Sequence, residues 1–273
     1  MALIAHYKLN DNAANTTVAD SAGSYTGTAS ANTSTLTAEG KINAAFNFAG
    51  TYVAVSGLSI ADNAPLSVCA WVYLDDWTTE VYPQFICLAE STNGANARPL
   101  RIGFSNQSGY TGVFFGASGF WPKRKSDTNP ATLNGAWQHV VLTYNGSDRT
   151  NSANFAVYLN GNLLTMSDAG AFSGATNTTQ FGALSVVGST ERWDGKLDDI
   201  RIYNEVISAA MIASIYNGGS GTEVSIITIS PPPTVFGLAT DFEFTPPTPH
   251  GATLDATFDF THPTPKTIGL TKL

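Results

Sequence analysis

Charge is what this chain has least of. Only 12% of its 273 residues are Asp, Glu, Lys or Arg, about half the share usual in soluble domains. Disordered chains show the opposite pattern, high charge with few aromatics, and here 11% of residues are aromatic. Basic residues are scarcer still. Thirteen Lys and Arg against 21 Asp and Glu give a net charge of −8. That balance argues against nucleic acid and anionic membranes as partners. No run of eighteen apolar residues occurs, so no transmembrane helix is expected. Residues 1–9 lack the basic start and apolar stretch of a secretion signal, so we expect a removed leader or folding in the cytosol. The two cysteines, Cys69 and Cys87, are too few for a disulfide scaffold. If 66–74 and 84–90 form a hairpin about Trp77-Thr78-Thr79, a cross-strand disulfide is geometrically open. Two buried, reduced thiols are the favoured expectation.

What the chain does have is apolar residues, 43% of the total, arranged in short runs between turn residues. Strands are expected over 3–9, 41–48, 52–55, 66–74, 84–90, 100–104, 112–115, 137–144, 154–160, 163–166, 184–188 and 197–203, from period-two alternation. Asn160-Gly161 is a hairpin signal. A single helical turn follows the last strand. Ser208 caps it, Ile212 and Ile215 share its buried face, and Asn217-Gly218-Gly219 stops it. So many strands with one late turn of helix specify an antiparallel β-sandwich or jelly roll. Trp71 and Trp137 fall inside strands and are expected in the core.

Beyond Gly221 the character changes. Pro231-Pro232-Pro233 makes a stiff spacer. Residues 238–249 and 254–265 then repeat a pattern of Phe, acid, Phe, Thr, X, Pro, Thr, Pro at an offset of sixteen. Two copies are too few to support a fold. Phe242 and Phe244, then Phe258 and Phe260, share one face of an extended strand. We expect residues 222–273 to be an extended arm that docks on a partner by adding strands to a sheet edge, with a homo-oligomer as one way to supply that edge.

Several segments in order resemble a known family. They are Ala5-His6-Tyr7-Lys8-Leu9, Val18-Ala19-Asp20-Ser21-Ala22-Gly23, 40–48, Tyr52-Val53-Ala54-Val55 and Val68-Cys69-Ala70-Trp71-Val72. Trp137-Gln138-His139-Val140-Val141, Val157-Tyr158-Leu159-Asn160-Gly161 and 195–203 extend the match. Together they are similar to laminin-G-like domains of the concanavalin A-like superfamily, over about residues 1–221. The resemblance implies two curved antiparallel sheets in a jelly roll. It also implies binding of carbohydrate or protein, often with a calcium ion, rather than catalysis.

Glycosidases share that superfamily, and retaining hydrolysis needs two carboxylates about 5 Å apart. The glucanase relatives draw theirs from Glu-x-Asp-x-x-Glu, and none of the seven Glu residues here stands in such a motif. Asp198 and Asp199 are adjacent, which in a regular strand points them to opposite faces. No enzyme is therefore expected. Calcium wants six to eight hard oxygens. Asp20 in its turn, with Asp198 or Asp199 on the closing strand, is the expected site, since the resemblance makes the first and last strands neighbours. The alternative is that Asp20 caps its own turn and Asp198 pairs with an Arg. For sugars, aromatic rings on loops matter most. Trp77, Tyr82 and Trp121 qualify, and Trp121 adjoins the cationic cluster of Lys123 and Arg124. Two readings result. One is a non-enzymatic virion protein, a phage decoration or tail-associated type, with an outward binding jelly roll and an anchoring arm. The other is a secreted carbohydrate-binding or adhesion module.

Overall fold

Alternation along Leu66–Leu74 organises the molecule. Leu66, Val68, Ala70, Val72 and Leu74 all enter the main core, whereas Ser67, Cys69, Trp71 and Tyr73 take the other face, as period two requires. A computed structural model describes residues 2–61, 63–75, 83–90, 100–105, 112–116, 124–126, 133–148, 151–168, 178–182 and 192–223. The strands are β1 Leu3–Tyr7, β2 Thr17–Val18, β3 Gly27–Ala29, β4 Thr37–Glu39, β5 Ala44–Ala49, β6 Val53–Val55, β7 Ser59–Ile60, β8 Leu66–Leu74 and β9 Gln84–Glu90. They continue as β10 Leu100–Ser105, β11 Gly112–Gly116, β12 Arg124–Ser126, β13 Trp137–Tyr144, β14 Phe155–Leu159, β15 Asn162–Leu163, β16 Met166–Asp168, β17 Thr179–Phe181 and β18 Asp194–Tyr203. Among the described residues there are also two short α-helices, α1 Thr33–Leu36 and α2 Ala209–Tyr216.

These strands form a two-sheet sandwich. Sheet I has the order β15-β14-β13-β8-β18-β5-β4, with β1 also pairing β18. Sheet II has the order β16-β12-β11-β10-β9-β17-β6-β3-β2, with β7 beside β9. Every pairing is antiparallel except β7 with β9. The apolar faces of both sheets meet in one core, led by Tyr7, Phe46, Phe48, Phe85, Phe104, Phe181 and Trp193.

The expected strands at 3–9, 66–74, 84–90, 137–144 and 197–203 are all present in close register. Residues 163–166 do not form one strand. Leu163 closes a hairpin in sheet I, and Met166 starts a strand of sheet II. Residues 184–188 lie outside the described set. Asn160 and Gly161 both have positive φ, 51° and 80°, the geometry a two-residue turn of this hand needs. The expected hairpin about Trp77 does not form, because β8 belongs to sheet I and β9 to sheet II. Cys69 and Cys87 are buried reduced thiols. Burial pushes the Cys69 thiol up to about 12.

After β18 the chain turns back across the outward face of sheet I. Ser67 on β8 fixes the start of this strap. Its hydroxyl donates to the Glu205 carbonyl at 2.6 Å and accepts from the Ile207 amide at 3.0 Å. Ser208 caps α2 by accepting from the Met211 amide at 3.2 Å, and Asn217 ends it in the left-handed region. Met211, Ile212 and Ile215 bury themselves against Cys69, Val141 and Tyr203. Burying each such side chain stabilises the fold by roughly 1.5–3 kcal/mol. Gly221 closes the strap at φ +71°, where a Cβ would lie 2.7 Å from Ile42 and 3.0 Å from the Trp71 ring nitrogen. The chain divides into two units, Met1–Ile227 and Thr228–Leu273. The second, which carries Phe242, Phe244, Phe258 and Phe260, lies outside the described residues.

Candidate functional site

The three carboxylates expected to hold calcium are near the paired first and last strands, but each has protein partners. Asp20 sits in the turn after β2. Its Oδ1 accepts from the amides of His6 at 2.8 Å and of Ala22 and Gly23 at 3.0 Å, and its Oδ2 accepts from Tyr25 at 3.1 Å. It caps its turn and ties that turn to β1, as aspartates in such turns do. Asp199 is fully buried between an imidazole and a guanidinium. Its Oδ1 lies 2.6 Å from His6 Nε2, and the Arg201 guanidinium donates to both oxygens at 3.1 Å. Arg201 also donates to the Thr222 carbonyl on the strap. Burial works against the Arg201 charge, but Asp199 and Tyr203 more than offset it and hold its pKa above the usual value.

Asp198 differs. Its Oδ2 accepts from the Ile42 amide at 2.8 Å, while Oδ1 is buried without a partner. Burial raises its pKa to about 8 against the opposing hydrogen bond from Ile42, so at neutral pH it is largely protonated. The pair does not obey the opposite-face rule, because the pairing of β18 with β8 slips between Asp198 and Arg201. Asp199 absorbs that bulge at φ 50°, and a bulge re-aims side chains. Asp198 lies opposite Trp71, and Arg201 opposite Cys69, all on the outward face. Among the described residues no group of three or more His, Cys, Asp or Glu is placed to share a metal ion. Asp20, Asp198 and Asp199 therefore do not fit one calcium site: their oxygens already serve amides, a guanidinium and an imidazole.

Sheet II offers the other candidate surface. Its strands adjoin the segments 76–82, 91–99, 106–111, 117–123, 127–132, 169–177 and 183–191. Four of the expected sugar-binding residues, Trp77, Tyr82, Trp121 and Lys123, belong to those segments and lie outside the described residues. Arg124 opens β12, where its backbone pairs with Phe115 and Asp168. The face of sheet II turned away from the core is polar yet buried. Gln180, Cys87 and Arg101 stand side by side on β17, β9 and β10, and Gln84 and Phe114 flank them across Gly103. Each is exposed by 1% or less. Both polar atoms of the Gln180 amide are buried without a partner. The sequence hints at this floor, since Arg101 interrupts an apolar run at period two; its complete burial is not visible there.

Trp71 is buried as expected, but under the strap rather than in the sandwich core. It stacks on Tyr216 at 5.7 Å and meets His139 at a tilt, 5.0 Å between ring centroids. Burial pulls the His139 pKa down to about 4. Trp137 is not in the core either. It is half-buried on the outward face of sheet I.

Among known proteins, a model of the laminin G-like family (Laminin_G_3), described as the concanavalin A-like lectin/glucanases superfamily, matches residues 47–213. No curated protein matches the chain. Domain 4 of AbnA, a GH43 extracellular arabinanase from Geobacillus stearothermophilus solved with arabinotriose, is similar in structure. The TM-score is 0.56 and the identity 19%, covering 81% of this chain and 98% of that one. A Trypanosoma rangeli sialidase bound to sialic acid has a TM-score of 0.54 and 15% identity over 81% of this chain, which spans only 34% of the sialidase. The segment matched by the family model is more than half of the sequence and carries the two-sheet core just described: the chain belongs to the laminin G-like family of the concanavalin A-like lectin/glucanases superfamily.

Proposed function

We propose that this domain is a non-catalytic glycan-binding module. The observation that carries the reading is the polar floor of sheet II. Gln84, Arg101 and Gln180 are long polar side chains buried on the face away from the core, where such groups serve to fix loops on a rigid sheet. The adjoining segments hold Trp77, Tyr82, Trp121 and Lys123, and Arg124 follows them: rings for stacking on sugars and cations for hydrogen bonding. Family membership and the arabinotriose complex of the AbnA domain support the ligand class. Wild-type protein and Trp121→Ala/Lys123→Ala are compared on a glycan array. Loss of binding in the variant is expected, and unchanged binding refutes this surface.

The absence of hydrolysis is part of the proposal. A retaining glycosidase needs two reachable carboxylates about 5 Å apart, and both Asp198 and Asp199 are buried. Release of reducing sugar from any polysaccharide the protein binds overturns it.

A second reading concerns where the module works. The repeated Phe and Pro pattern of 238–265 supports a docking arm, in which Phe242, Phe244, Phe258 and Phe260 pack on a partner subunit. That suits an attachment protein of a virion. A secreted adhesion module is the rival, since the fold suits both. Deleting 231–273 is expected to abolish assembly or particle attachment while leaving glycan binding intact. Unchanged assembly selects the rival.

A further inference from the structure

A second surface, on the opposite sheet, has the chemistry of a sugar platform. Four side chains stand in one line across four strands of sheet I. Trp137 on β13 faces Tyr73 on β8, Tyr73 faces Lys196 on β18, and Lys196 faces Asn47 on β5. With strands about 4.8 Å apart, the row is roughly 14 Å long. All four side chains are half-buried, on the outward face and clear of the sandwich core. The rings of Trp137 and Tyr73 meet edge to face at 5.5 Å and 65°. Lys196 Nζ stands 4.2 Å from the Tyr73 ring centroid, and among the described residues it has no acid within ion-pair distance. The Asn47 side-chain oxygen is buried without a hydrogen-bond partner.

We propose that this row binds a segment of an uncharged glycan chain, at a site separate from the sheet II loops. Sugar rings present apolar C–H faces and equatorial hydroxyls together. Trp137 supplies a flat ring for the first. Among the described residues no strand covers its far side, because β14 pairs with β13 only from Val140 to Tyr144. Lys196 supplies donors for the hydroxyls, and the half-buried Asn47 amide, whose oxygen lacks a partner at a cost to stability, supplies an acceptor once it turns outward. Lys196 is the row's one cation, and Asp194 lies two residues before it on the same strand face. A single ammonium in the row, with an acid two residues away, suits a neutral ligand better than an acidic one. A buried apolar contact between proteins would instead favour aromatics without a free ammonium at their centre.

The test is affinity electrophoresis of the full chain through gels containing arabinan, xylan, mannan or hydroxyethyl cellulose. The variants are Trp137→Ala, the pair Asn47→Ala/Lys196→Gln, and the loop pair Trp121→Ala/Lys123→Ala. We expect at least one polysaccharide to retard the wild type. Trp137→Ala and the Asn47/Lys196 pair should each weaken that binding about tenfold, with an unchanged circular dichroism spectrum. If Trp137→Ala misfolds, Trp137→Phe keeps a ring in the contact and should lose less affinity than the Asn47/Lys196 pair. Row variants that bind like the wild type overturn the proposal, as does a wild type that no polysaccharide retards. If only the loop pair abolishes binding, the sheet II reading stands and this one falls. If only the row variants weaken it, the row stands and the sheet II loops are not the site.

Discussion

Two neighbouring rows on the outward face of sheet I meet opposite fates. His139, Trp71 and Asp198 form one, and Trp137, Tyr73 and Lys196 form the next, two residues along each strand. The first row is sealed, with each member exposed by 1% or less. The second stays half open. Both contain a Trp, another ring and an ionisable group at the third strand, so composition does not explain the difference. The strap does. It crosses at α2 and returns at Gly221, and Tyr216 stacks on the sealed row alone. Under cover, the acid is neutral and the histidine uncharged. In the open row, a lysine keeps its ammonium over a ring. Polar groups placed identically by the strand period thus become structural or available according to what lies above them.

Breaking the sealed region should cost most. Asp199→Ala leaves Arg201 buried beside His6 with no carboxylate, and removing one member of a buried pair costs about 3–5 kcal/mol. Urea unfolding should show a loss of that size; a loss below 1 kcal/mol would mean the network contributes little.

Next comes the pH response of the sealed row. Asp198 has a folded pKa near 8, raised by burial above the ordinary aspartate value of 3.8. Its contribution is complete at low pH and is lost as pH rises through 8. His139 has a folded pKa near 4, lowered by burial below the ordinary histidine value of 6.5. Its contribution is complete above 6.5 and is lost as pH falls through 4. Between 4 and 6.5 the two slopes oppose and nearly cancel. From 6.5 to 8 the Asp198 slope acts alone and stability should fall by about 2 kcal/mol. Asp198→Asn should abolish that fall and uncover a loss below pH 6.5. A wild-type stability that is level from 6.5 to 8, with the same profile in the variant, refutes the assignment.

The open row should respond weakly. Lys196→Gln removes one half-buried contact with a ring, so its stability effect should be about 0.5–1 kcal/mol, visible as a small shift in melting temperature. A loss as large as that of Asp199→Ala would show that the row is structural. The smallest expected effect is that of chelation. Asp20 and Asp199 are held by amides and by Arg201, so EDTA should leave the melting temperature unchanged. A ligand bound only by the native state must raise it, and a rise with added calcium would require other ligands.

Much of this was legible in the sequence, for local reasons. The alternation of 66–74 and 137–144 shows which residues line the core, and Ser208 with Asn217 marks both ends of α2. The signals fail where distant segments decide. His6 and Asp199 are 193 residues apart, and nothing near either marks the other. The bulge at Asp199 overrides the two-face rule that the adjacent acids otherwise obey. The cysteine hairpin fails because strands consecutive in sequence divide between two sheets. Trp71 and Trp137 look alike in sequence, each inside a strong strand, and only the strap separates a sealed ring from an open one.

The strap's last residues have a mechanical consequence. The Thr222 carbonyl holds Arg201, and Glu223 reaches Asn10 at 2.7 Å and Lys8 at 3.4 Å, just past the end of β1. A pull on the domain from its C-terminal side therefore loads these few polar contacts first, then the packing of α2 on sheet I, before β18 itself feels tension. The strap works as a fuse. A modest force can peel it from the sheet while the two-sheet core stays shut.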